Sequence, residues 1–135
     1  MKDTELLQAF NSGTLPAAAW THEAHLRVAF LYARMYPLDE AHLMFRIYLI
    51  RLNTFHGVPE SKDRGYHDTL TRMWIAIIAA AIATEDAGID SLTFLARHPE
   101  FQDRKLGLNY YSRDRLNSVA ARARFLEPDV AALPA

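Results

Sequence analysis

Two histidines three residues apart, His22 and His25, lie just inside a segment that reads as a capped helix start, Trp20-Thr21-His22-Glu23-Ala24-His25-Leu26-Arg27. Residues at this spacing share a helix face, so both imidazoles can address one point. A third histidine, His67, opens a second run, Gly65-Tyr66-His67-Asp68-Thr69-Leu70-Thr71. Neutral imidazole is the commonest protein ligand for borderline divalent metals. The expectation is therefore a metal site of His22, His25 and His67, holding zinc, iron or nickel, with positions left for water and substrate. Glu23 and Asp68 each neighbour a candidate ligand. Adjacent helical residues diverge by about 100°, so the two carboxylates are expected as a general base or as groups that orient the histidines. The spacing differs from H-E-x-x-H, whose histidines are four apart.

The elements that must position these groups are helical almost throughout. Asp3 suits the cap of a first helix reaching Asn11, with Gly13 to end it. Thr21 fits the cap of a second helix running to Tyr36 and stopped by Pro37. Asp39 is expected to cap a third, apolar from Leu43 to Phe55 and closed by Gly57. Val58 to Gly65 reads as a loop able to gate access to His67. A fourth helix is expected from Tyr66 to Ala87; its stretch from Met73 to Ala83 is apolar nearly all round and so central. A fifth, short helix follows Asp90 or Ser91 and ends before Pro99. Short pieces over 100–106 and 112–125 lead to an extended tail. No strand-like alternation and no repeat is present. The fold class is all-α: a single compact helical bundle of about four main helices plus short C-terminal helices, one domain over 1–135.

Composition narrows the function classes. Half of the 135 residues are apolar or aromatic and 23% are charged, a globular balance. With no cysteine, thiolate chemistry and Cys-ligated zinc are excluded. Fifteen basic against sixteen acidic residues give a net charge of −1, so no nucleic-acid partner is expected. The polar opening Met1 to Glu5 is unlike a signal peptide, and the longest apolar run falls short of the ~20 residues a membrane span needs. A cytoplasmic protein without a membrane partner is expected, with homo-oligomerisation left open. There is no Gly-rich phosphate loop and no G-x-S-x-G elbow.

Four further residues are candidates for binding a ligand. Asn53 shares a face of the third helix with Arg46; turned inward, its amide needs partners and could hold a ligand. Trp74 lies seven residues beyond His67 and could wall a pocket, although core packing is the commoner use of tryptophan. Ser112 and Arg115 stand at a helix start where an anion could sit, with simple capping as the plainer role for Ser112. His42, His56 and His98 are expected at the surface.

Several phrases together resemble a family of small, largely uncharacterised bacterial all-helical proteins. They are Trp20-x-His22-x-x-His25-Leu26, Gly65-Tyr66-His67-acidic-Thr69-x-Thr71 with Trp74, Tyr110-Tyr111-Ser112, and Glu127-Pro128-Asp129 close to Leu133-Pro134. The resemblance spans residues 20–134. It implies that the three histidines form one shared site, and it carries over no activity. The family phrase often has Glu where this chain has Asp68. The reading is a helical protein with a three-histidine metal site, an enzyme acting on a small molecule if it is one at all. The alternative is a non-enzymatic binding module with structural histidines, an exposed apolar patch and no polar pocket around His25.

Overall fold

The helix starts follow side chains that can take up free backbone N–H groups. The computed structural model describes all residues, 1–135. Seven α-helices follow in order: α1 (Asp3–Ser12), α2 (His22–Met35), α3 (Leu38–Phe55), α4 (Asp68–Ile82), α5 (Ser91–Arg97), α6 (Arg113–Leu116) and α7 (Val119–Ala123). Short 3₁₀ turns cover Ala17–Ala19, Pro99–Gln102 and Leu106–Asn109. The all-helical bundle expected from the sequence is the fold observed. No helix is long and apolar enough to cross a membrane.

Thr21 caps α2 as expected, its hydroxyl accepting from the Ala24 N–H at 3.1 Å. Asp90 caps α5 through Thr93 N–H at 2.7 Å. Three starts differ from expectation. Asp3 lies inside α1, and its carboxylate accepts from Arg27 and from Ser91 instead. Asp39 also lies one residue inside its helix, behind Pro37, and pairs with Arg72 at 2.8 Å. The fourth helix starts later than Tyr66, because the cap is the His67 side chain, whose Nδ1 accepts from Leu70 N–H at 3.1 Å. It also stops at Ile82, five residues before Ala87, where the Thr84 hydroxyl turns back onto the Ala81 carbonyl. The C-terminal piece over 112–125 divides into α6 and α7 because Ser118 caps a second start.

Helix α4 is the hub. It packs against α2, α3 and α7, and its residues from Met73 to Ile78 are all buried. Phe10, Phe30, Phe45, Phe94 and Tyr111 fill the space around it and are fully buried. Arg27 is also buried; its guanidinium holds the Met1 carbonyl, Asp3 and Ser91, tying the chain's start to α5. The tail is fixed through Val130 N–H on the Tyr110 carbonyl at 2.9 Å. This frame sets the first turns of α2 and α4 side by side, with the last two turns of α3 facing both.

Candidate functional site

A pocket of ≈ 390 Å³ opens between those first turns. It takes His22 and His25 from α2, His67, Thr71 and Trp74 from the start of α4, and Asn53 from α3. Its volume is in the range of small-molecule sites, ~300–1,000 Å³. Trp20 and Trp74 stand in its wall, Tyr66 and Gly65 border it, and Arg104 reaches it from the segment after the second 3₁₀ turn.

The three histidines differ in what their nitrogens do. The Nε2 of His22 lies 2.8 Å from the Phe101 carbonyl and so donates to it, leaving Nδ1 without a partner in the chain. The His67 ring is occupied at both ends. Nδ1 accepts from Leu70 N–H, and Nε2 donates to the Leu116 carbonyl at 2.8 Å. That fixes His67 as neutral imidazole, and burial holds it below the usual histidine range against the pull of the Leu116 carbonyl. His25 sits between Trp20, 5.5 Å away, and Phe45, 5.1 Å away, between ring centroids. Burial, with a smaller contribution from His22, pushes its pKa down to about 4. Its Nδ1 is the one buried side-chain nitrogen or oxygen in the molecule with no hydrogen-bond partner.

Asn53 is 91% buried, the complement of its 9% exposure, and lines the pocket. Its side-chain amide makes no hydrogen bond to the protein. Arg104 is exposed and likewise unpaired. Buried polar groups are normally paired, so the unpartnered His25 Nδ1 beside an open Asn53 amide points to a partner from outside the chain.

The two carboxylates take no part in the pocket. Glu23 is exposed on α2 and does not line it. Asp68 is buried on another face of α4, where Tyr66 Oη–H donates to its Oδ1 at 2.7 Å and His42 Nε2 at 2.8 Å, with Arg46 at 3.0 Å. Burial raises the Asp68 pKa, but these three donors outweigh it and hold the carboxyl below its usual range. A general-base role for either residue in this pocket is thereby corrected. The physical reason is the ~100° step between helical neighbours: pointing His22 and His25 inward turns Glu23 outward.

Ser112 and Arg115 are also placed away from the pocket. Ser112 caps α6, accepting from Arg115 N–H at 3.2 Å, and its hydroxyl donates to Asp129 at 2.6 Å. Arg115 Nε donates to the Glu127 carbonyl at 2.7 Å. Both hold the tail, so the anion site expected there is replaced by the chain's own carboxylate and carbonyl. The histidines expected at the surface are partly buried ties: His42 to Asp68, His56 to the Leu15 carbonyl at 2.7 Å, and His98 to Glu85 at 3.0 Å.

No group of three or more His, Asp or Glu side chains is arranged to hold a metal ion. His67 would have to surrender the α4 cap or the Leu116 bond to offer a lone pair. As it stands, the donor set available for a cation is one nitrogen from His22 and one from His25.

Sequence reasoning did not single out Trp20, Tyr66 or Arg104 as pocket residues. Trp20 and Tyr66 stand in the phrases quoted above, next to the candidate histidines, which was a usable signal. Arg104 carries no local signature. Comparison with protein-family models, with curated proteins and with solved structures finds no match to this chain.

Proposed function

We propose that the protein binds a small molecule in the pocket between α2, α3 and α4, through Asn53, His25 and the free nitrogen of His22. The observation that carries this reading is the buried, unpartnered imidazole nitrogen of His25 beside a pocket onto which the Asn53 amide, free of any protein hydrogen bond, opens. A purely structural core would place apolar groups at both positions. With His25 neutral and His22 Nδ1 uncommitted, the pocket offers imidazole nitrogens to a ligand hydroxyl or N–H, and the Asn53 amide both donates and accepts. The flat walls of Trp20 and Trp74 suit an apolar or planar body. The interaction-module alternative expects no polar pocket around His25, and this one runs against it.

A divalent metal held by His22 and His25 is the second reading, favoured by the unpartnered nitrogen on each. Its third ligand would not come from His67 without breaking the α4 cap.

Both tryptophans of the chain line the pocket, so their two indole N–H resonances report its occupancy. A fragment library screened by these resonances should give saturable shifts that Asn53→Leu abolishes while the fold persists. Fragments that shift other regions only, or that bind Asn53→Leu equally well, would refute the reading. A zinc titration decides the second: stoichiometric uptake lost on His25→Ala would establish it, and no uptake would remove it.

A further inference from the structure

We infer that the ligand of this pocket is a small organic anion, its carboxylate or phosphate seated between Arg104 and the first turns of α2 and α4. The inference rests on the pocket reading above and specifies the ligand's charge.

The argument begins with what borders the pocket. Arg104 is the only permanently charged residue among its thirteen lining residues, and no carboxylate is among them. The nearest acidic neighbours in sequence are disposed of elsewhere. Glu23 faces solvent, and Asp68 is neutralised by Arg46 and His42 on the far side of its helix. The first turns of two long helices, of 14 and 15 residues, meet here. Each helix start carries roughly half a positive charge, and an anion at such a place gains from backbone N–H groups as well. Thr21 and His67 each take up one N–H of its helix, which leaves others unfilled.

The independent observation is Asn53. The residue is nine-tenths buried, its amide makes no hydrogen bond to the protein, and from the last turn of α3 it opens onto the pocket, where it can donate two hydrogen bonds to an oxyanion. The uncommitted His22 Nδ1 and the unpartnered His25 imidazole then suit a hydroxyl or N–H on the rest of the molecule. The ligand class is accordingly an anion bearing a neutral hydrogen-bond donor on a planar or apolar body. Arg104, exposed and unpaired, is free to close a charge-assisted bond on it.

The test uses para-hydroxybenzoate, its neutral counterpart para-hydroxybenzamide, and para-hydroxyphenyl phosphate, each titrated against the full chain to about 10 mM and followed by the two indole N–H resonances. The expected result is saturable binding of at least one anion, about 10-fold tighter than the benzamide, and weakened by added salt. The comparison of the two anions tells carboxylate from phosphate. Arg104→Gln should remove that preference; Arg104 makes no contact that the fold relies on. Equal affinity for benzoate and benzamide, or a preference unchanged in Arg104→Gln, would overturn the inference and leave the pocket reading standing. Failure of all three probes, neutral and charged, would count against both.

Discussion

Acidification protonates His25 in the unfolded chain well before it does so in the folded one. The folded value is about 4 against an ordinary 6.5. Between these limits the unfolded state binds more protons, so stability must fall as pH falls through this window. The full difference of 2.5 units corresponds to about 3 kcal/mol, and by pH ~4.5 about 2–3 kcal/mol of it should be gone. His67, held low by burial, adds to the loss with the same sign. Asp3, Asp68 and Asp129 sit below the carboxylate range, so their contributions are lost at lower pH. His25→Phe isolates the residue, because an aromatic ring of similar size can occupy the gap between Trp20 and Phe45. Urea unfolding followed by far-UV circular dichroism, at pH values from about 7.5 down to about 4.5, measures the difference between the two proteins. The variant should match or exceed the parent near neutrality and gain a relative advantage of about 2–3 kcal/mol at the acid end. Curves that stay parallel across the range would refute the assignment of a neutral His25 held between Trp20 and Phe45.

Two other perturbations test the surroundings of the pocket. Gly65 has φ +96°, and a Cβ there would lie 2.5 Å from a Glu60 carboxylate oxygen. That carboxylate receives the Tyr66 N–H at 2.9 Å. Gly65→Ala should lower stability by about 1–3 kcal/mol and speed proteolysis within 58–65, as read by thermal unfolding and limited digestion. Asp68→Asn keeps acceptors for Tyr66 and His42 but strips Arg46 of its countercharge, at a cost of about 2–3 kcal/mol in urea unfolding. Because Asp68 does not line the pocket, ligand affinity in that variant should stay within about 3-fold of the parent.

The parts of this molecule legible in its sequence are those fixed by local chemistry. Thr21 and Asp90 cap their own helices through groups three residues on, and Gly13 ends α1 with φ +73°, so these boundaries could be read directly. The face shared by His22 and His25 follows from the same short-range geometry. What escaped reading depends on partners far along the chain. His67 became a cap rather than an open ligand because Leu116, 49 residues away, takes its other nitrogen. Asp68 became structural because His42 and Arg46 on α3 reach it. Arg104 arrives at the pocket from an irregular segment whose path no periodicity encodes. Asp39 misled because Pro37, with its fixed φ, can itself precede a helix, which moved the start two residues earlier.

The distribution of satisfied and unsatisfied groups separates scaffold from site. His22 Nε2, His67, Asp68, Ser112 and Arg115 each hold two distant segments together, and removing any of them breaks a bond that the fold uses. His25 Nδ1 and the Asn53 amide hold nothing. Leaving a buried polar group unpaired costs about 1–3 kcal/mol, a large share of the ~5–15 kcal/mol by which a domain is stable. At Asn53, four residues after Leu49 on the same pocket-facing side of α3, leucine would give up no protein hydrogen bond and leave the helix unaltered. An Asn53→Leu at least as stable as the parent that abolishes ligand binding is therefore the combination that marks a functional residue, since sites commonly trade stability for activity. A destabilising Asn53→Leu would mean that the amide has a structural partner, and the case for a ligand would then rest on His25 and Arg104 alone.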